Sequence, residues 1–326
     1  MILTQILAEK TVFVQALLSF SEPILWNKGS NCIGSTFKGL SVNDIKDAIK
    51  PIDLSNAQTL NISRRGDGRQ RVMKVVHNEK FVILKCYGLK RKLPRVLFRQ
   101  FGSFFLGAKS SITVKARHDT ELNVLSLWKQ EGFDVPEVYP LLKLPQDISN
   151  CIAMEYIPSP TVAKVLQDDQ KSLVLKKEVI TRYAQVWGKR HARALELGEP
   201  RLLQEHPTLS HVFVSQERLV HFDFEIVFTR EKDLERLVRR EIVGILRSMA
   251  KTRGNVFYPL LDTLLDAYPN LSHFRQTACE LLRYGTVPVV GWTAMFHRLT
   301  RRKKRYSKRL HFTKTLAKAL ESRCGP

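Results

Sequence analysis

The chain is short of acid. Its 326 residues carry 31 Asp and Glu against 53 Lys and Arg, a formal net charge of +22. Such an excess disfavours a cationic partner and points to a polyanion: nucleic acid, an anionic membrane surface or a phosphorylated substrate. Paired cysteines are missing too. Cys32, Cys86, Cys151, Cys279 and Cys324 are scattered without a C-x-x-C pair. That argues against a zinc site or a disulfide framework, and scattered free thiols fit a reducing compartment. No apolar run approaches the roughly 20 residues a spanning helix needs. The apolar start, Met1 to Leu7, is followed by Glu9 and Lys10 and lacks a basic leader and a small-residue cleavage site, so no signal peptide is expected. These absences together predict a soluble or peripheral cytoplasmic protein.

What is present is enough apolar material for a core, 44% of residues. Residues 1–55 give no clear pattern. From Asn61 onward strands are expected: Arg71–Val76, a turn at His77-Asn78-Glu79-Lys80, and Phe81–Tyr87, which together read as a hairpin. A helix is expected from Asp119 to Gly132, with Leu122, Val124, Leu125 and Trp128 on its apolar face. A buried strand follows at Cys151–Ile157. Lys176 to Leu197 reads as a long helix capped by Gly198, and another helix is expected from about Glu231 to Lys251. Strands with one helix, then mostly helices, predict an α+β protein with a small β-rich lobe and a larger helical one.

Asp223-Phe224-Glu225 closes the apolar run Leu219-Val220-His221-Phe222, twelve residues after His211. A catalytic loop, a short hairpin and then a metal-binding Asp is the layout of kinases, whose loop follows H-x-D-x-x-x-x-N. Here Gln204 falls at the H, His206 at the D and His211 at the N. Asp223 offers carboxylate oxygen to a hard divalent cation. His206 is the candidate base, since a neutral imidazole accepts a proton near neutral pH. Lys85, late in the second strand, stands where kinases hold phosphates, and Glu121 where they pair that lysine. The other reading of Glu121 is a first-turn acid favoured by the helix dipole. Gly66 and Gly68 lie where a Gly-rich loop is expected, and Glu155-Tyr156 where a hinge meets a base through backbone groups.

With these residues the chain resembles the bacterial lipopolysaccharide kinase family, the Kdo kinase and heptose kinase group, over roughly residues 60–250. The similar stretches are Arg69 to Lys85, the basic segment up to Gly107-Ala108-Lys109, the Glu121 helix, Gly132 to Pro136, and Ser210 to Val214. The resemblance implies a bilobal protein-kinase-like fold: an N-terminal extension over 1–55, an N-lobe over 56–158, and a C-lobe over 159–326 with a basic helical tail. It implies ATP and Mg²⁺, bound by Lys85, Glu121, Gly66, Gly68, Glu155 and Tyr156, with Asp223 and His211 as metal residues. It implies phosphorylation of a sugar hydroxyl on a lipid-linked glycan at the inner face of the cell membrane. Gln204, His206 and Glu225 depart from the pattern. Heptose-kinase members often carry His at the position of His211. The sequence leaves two alternatives open: an active kinase, or an inactive pseudokinase that binds or scaffolds at the membrane.

Two basic clusters bear on location. Lys90, Arg91, Lys92, Arg95 and Arg99 are interleaved with Phe98, Phe101, Phe104 and Phe105, and a second cluster spans Arg301 to Arg309. Basic charge beside large apolar side chains suits anionic lipid. No RNP-like, zinc-finger or helix-turn-helix pattern supports nucleic acid.

Overall fold

A computed structural model of the chain describes residues 52–54, 58–65, 70–88, 113–143, 150–215, 217–229, 233–251, 254–283 and 315–323. Gly66, Gly68 and both basic clusters lie outside the described residues.

Among the described residues seven strands, with one helix between the fourth and fifth, come first: β1 (Ile52–Asp53), β2 (Gln58–Arg65), β3 (Gln70–His77), β4 (Lys80–Tyr87), β5 (Val138–Tyr139), β6 (Leu141–Lys143) and β7 (Cys151–Glu155). Five of them form an antiparallel sheet in the order β2-β3-β4-β7-β5, and β1 pairs with β6 in parallel. The expected hairpin is β3–β4. Its turn puts Asn78 and Glu79 at φ 47° and 62°, the two left-handed positions whose twist matches flanking strands. Side chains alternate along β4. Val82, Leu84 and Cys86 join Met73, Val75, Cys151, Ala153 and Leu54 in a small core, while Ile83 and Tyr87 join the main core on the other face.

Cys86 and Cys151 are opposite one another in the β4–β7 register and form a disulfide. This corrects the expectation that all the cysteines are free thiols. It also removes the support those thiols lent to a reducing compartment. The two residues are 65 positions apart, so no spacing motif could mark them. Strand register alone brings them together.

Helix α1 (Val114–Gln130) starts earlier than expected, because the Thr113 hydroxyl caps it by accepting the Ala116 N–H at 3.3 Å. Glu121 therefore lies in the second turn, where it is buried, and not in the first turn near the helix dipole. Helix α2 (Val162–Gln167) and helix α3 (Leu173–Leu197) follow, capped by Thr161 and Ser172. Gly198 ends α3 at φ 64° as expected. Two single turns, Pro200–Leu202 and Leu209–His211, flank a loop that leads into the hairpin β8 (Val212–Val214) and β9 (Leu219–His221). Then come α4 (Leu234–Met249), α5 (Gly254–Ala267), α6 (Ser272–Arg283) and a helical segment at 315–323.

The main core runs from Val124, Leu125 and Trp128 of α1, through Ile180, Tyr183 and Trp187 of α3, to Leu237, Val238, Ile242, Ile245 and Met249 of α4. That spacing on α4 is one apolar face of a 3.6-residue helix. Each large side chain buried there stabilises the fold by about 1.5–3 kcal/mol. The result is the expected small sheet lobe and larger helical lobe. Among the described residues no helix is long and apolar enough to cross a membrane.

Candidate active site

Lys85 pairs with Val72 across β3 and with Ile152 across β7, on the face of β4 away from the small core. Its ammonium is buried, which requires compensating charge. Nζ donates to Glu121 at 2.6 and 2.9 Å and to Asp223 at 2.7 Å, and lies 3.2 Å from Glu225. Burial works to lower the lysine's pKa, but Glu121, Asp223 and Glu225 more than offset it and hold the group above its usual range. Burial pushes the Glu121 carboxyl up, and Lys85 opposes that shift. The Tyr87 hydroxyl donates to Glu121 as well. Arg117, one turn before Glu121 on α1, donates its Nε to Glu225 at 2.9 Å.

Asp223 occupies a left-handed conformation at φ 74°. Asp tolerates that region better than most residues, and such positions cluster at functional sites. The turn is seated from both sides. Phe224 is buried with its ring 4.5 Å from Trp128 of α1, and the His221 N–H donates to the Asp134 carbonyl at 2.9 Å.

A hard divalent cation takes oxygen donors. Oxygens of Glu121, Asp223 and Glu225 lie within 4.8 Å of one another. Among the described residues these three carboxylates face Lys85 and Arg117. The donor set fits Mg²⁺, with Asp223 and Glu225 better placed than Glu121, which Lys85 and Tyr87 already engage. His211, expected as a metal residue, presents Nε2 3.3 Å from Asp223 Oδ2. Imidazole is a poor Mg²⁺ ligand, so its place is beside the carboxylate.

The cluster closes one end of a cavity of about 670 Å³, a size usual for small-molecule sites. Val72 and Ile83 line it from the sheet, Phe213 and Phe222 from the β8–β9 hairpin and its exit, and Met154 to Pro160 from the end of β7 and the segment after it. Phe213 and Phe222 are stacked, with centroids 4.5 Å apart. Lys164 of α2 adds a cation to the lining. Glu155 and Tyr156 both line the cavity, yet their side chains are engaged elsewhere: Glu155 with Arg218 at 2.8 Å, Tyr156 with Lys74 and Phe81.

The loop before β8 is held by α4. Glu241 Oε2 accepts the Gln204 N–H at 3.0 Å, and Ser248 Oγ accepts the Leu209 N–H at 3.1 Å. Between them Gly244 makes room for Pro207: a β-carbon there would fall 2.3 Å from the proline Cγ. Positions 241, 244 and 248 lie on one face of the helix. Gln204 also bridges to Val227 beyond Asp223. Glu241 in turn accepts from Trp187 Nε1 at 3.1 Å and pairs with Arg190, all of them buried. Burial would raise the Glu241 carboxyl, but Arg190 and His191 bring it down to about 2.

His206 stands in this loop with its side chain 64% exposed and Nδ1 2.5 Å from Oε2 of the buried Glu205. Together with His211, Asp223 and Glu225 it lines a second, smaller cavity of about 60 Å³. Of the residues expected from sequence, Lys85, Glu121 and Asp223 meet in direct contact, His211 touches Asp223, and His206 shares the small cavity with them. Glu205, Glu241 and Arg117 were not expected. An acidic residue on an otherwise apolar helix face marks Glu241 as a buried acid; nothing local marks the others.

No protein-family profile matches the chain, and no curated protein matches it by sequence. Among solved structures it is similar to one described as WaaP in complex with acyl carrier protein, at 12% identity and a TM-score of 0.41, over 74% of this chain and 88% of that one. The class is defined by the fold and the site themselves. A small antiparallel sheet with one helix precedes a helical lobe, and the strand lysine, helix glutamate and post-hairpin aspartate meet beside a cavity. That is a bilobal protein-kinase-like fold.

Proposed function

We propose that the chain is an ATP-dependent phosphotransferase with an alcohol as acceptor, a sugar hydroxyl of a lipid-linked glycan being the acceptor class. The observation that carries this reading is Lys85, held between Glu121 and Asp223 beside a largely apolar cavity. Phosphoryl transfer needs positioning and charge neutralisation more than covalent chemistry. A planar base suits the apolar lining between Ile83 and Phe213, with the backbone of Glu155 to Ile157 as its hydrogen-bonding edge. Lys85 would hold phosphate oxygens, kept in place by Glu121. Asp223 and Glu225 would hold Mg²⁺, which neutralises phosphate charge when bound. His211 would orient Asp223, and His206 would take the acceptor's proton. Residues 56–158 and 159–326 serve as the two lobes. The sequence resemblance supports the glycan acceptor, and the basic clusters support approach to an anionic membrane surface.

One observation favours a second reading, an inactive binding protein of the same fold. Lys85 is engaged by three carboxylates, and His206 stands where kinases carry Asp. Calorimetry with Mg·ATP, followed by transfer of labelled γ-phosphate to a lipopolysaccharide-precursor extract, separates the two. The enzyme binds nucleotide and transfers label, and both Lys85→Ala and Asp223→Ala abolish the transfer. Binding without transfer to any acceptor supports the inert protein.

A further inference from the structure

Glu225, in the turn after the β8–β9 hairpin, gives its two oxygens to two cations from different elements. Oε1 lies 3.2 Å from Nζ of Lys85 on β4, and Oε2 accepts from Nε of Arg117 on α1 at 2.9 Å and from its Nη2. All three side chains are mostly buried. The two cations differ in what else they hold. Lys85 also has Glu121 and Asp223, whereas among the described residues the hydrogen bonds of Arg117 go to Glu225. Arg117 is nevertheless placed by its own element. It lies four positions before Glu121, on the same face of α1. Its guanidinium carbon stands over the Tyr87 ring, 5.3 Å from the centroid. A lysine and an arginine thus converge on a space the width of one carboxylate. That space lies between the two cavities: Lys85 lines the large one, Glu225 the small one and Asp223 both.

We propose that Arg117 is a second phosphate-binding residue, and that Glu225 occupies its anion seat until a nucleotide phosphate takes it. This rests on the phosphotransferase reading of the site. A guanidinium fork meets carboxylate and phosphate with matching geometry. The seat that accepts Glu225 therefore accepts a phosphoryl group, bridged by Lys85 and Arg117. A buried guanidinium without a counter-charge is costly, which gives the turn a reason to keep an acid beside it. Carboxylate oxygen is drawn to a hard cation, so when metal binds Glu225 turns to Mg²⁺ and leaves Arg117 to the phosphate. Metal binding and phosphate binding are then coupled through one side chain. If Arg117 did no more than steady Glu225, its loss would matter only while the glutamate is present.

The test is a double-mutant cycle on the full chain, with R117Q, E225A and R117Q/E225A, in which calorimetry reads the affinity for Mg·ATP and for metal-free ATP. R117Q should weaken Mg·ATP binding about tenfold in either background, the size expected for a lost hydrogen bond between charged groups. In the E225A background, where no internal carboxylate holds the seat, R117Q should weaken metal-free ATP about tenfold as well. R117K keeps the charge and loses the fork, so it should fall between. It carries the cycle if urea unfolding shows that R117Q does not fold. R117Q/E225A binding Mg·ATP within about twofold of E225A, whatever the single variant does, would overturn the proposal alone and leave Arg117 a brace for Glu225. A wild type that binds no Mg·ATP would overturn the phosphotransferase reading, and the phosphate seat with it.

Discussion

Two buried ionic clusters in this protein have similar chemistry and different settings. At the cavity, Lys85 faces Glu121, Asp223 and Glu225. In the helical core, Arg190 faces Glu241, with His191 Nε2 3.4 Å from the same carboxylate. The first cluster opens on a cavity, gathers three carboxylates about one ammonium, and has partners a ligand could exchange. The second is sealed, and its carboxylate accepts from Trp187 and the Gln204 backbone as well as from Arg190. Charge in a protein interior does not declare its use. Access distinguishes a binding cluster from one that holds the frame.

The sharpest way to break this comparison is Glu241→Ala. It strips Arg190 of its counter-charge and frees the Gln204 N–H, so a loss of about 3–5 kcal/mol is expected in urea unfolding, the range for breaking a buried pair. A loss below about 1 kcal/mol would mean that the sealed cluster is not a structural anchor.

Acid should act through the sealed cluster next. Burial lowers His191 to about 4, with Glu241 opposing. Burial and then the Arg190 cation lower His221 to about 3. Both folded values lie below the ordinary 6.5, so as pH falls below 6.5 the unfolded chain binds protons first. Stability should therefore drop from pH 6.5 towards about 4, by up to about 1.4 kcal/mol per pH unit for each imidazole. Thermal unfolding across that range measures the slope. His221 also has two buried ring nitrogens without a hydrogen-bond partner. His221→Leu should flatten the slope and leave stability near pH 7 equal or higher, because no bond is lost.

Asp223→Ala should do the reverse of Glu241→Ala. Lys85 keeps Glu121 and Glu225, so unfolding free energy should move by less than about 1 kcal/mol, while Mg²⁺-dependent nucleotide affinity falls at least about tenfold, the equivalent of 1.4 kcal/mol. Calorimetry with and without Mg²⁺ reads the affinity, and equal affinities in both proteins would remove Asp223 from the site.

Glu225→Gln is the mildest change. It removes one negative charge beside Lys85 and leaves the shape. Nucleotide without metal should bind about threefold tighter, because repulsion of phosphate is reduced. The gain from added Mg²⁺ should shrink correspondingly. Weaker metal-free binding in this variant would place Glu225 outside the phosphate region.

The local parts of this architecture were legible. Alternation with Asn78 at the turn marked the β3–β4 hairpin, apolar periodicity marked α3 and α4, and a left-handed glycine marked the end of α3. Lys85, Glu121 and Asp223 were legible as a spaced set because each sits at a fixed place on its own element. The start of α1 was missed, since the capping threonine stands well ahead of the apolar face, Leu122 to Trp128, that marks the helix in the sequence.

The sequence by itself therefore determined which segments pair or coil and which side chains head towards a common cleft, because those depend on neighbours within a turn or a strand. Tertiary structure decided the rest. The Cys86–Cys151 disulfide needs the β4–β7 register. Glu225 turns inward because a buried ammonium and Arg117 are there to receive it. Glu241 becomes an anchor because α4 docks its face against a loop more than thirty positions earlier. Each is a charge or contact satisfied across the fold, and its partner is chosen by how the elements pack.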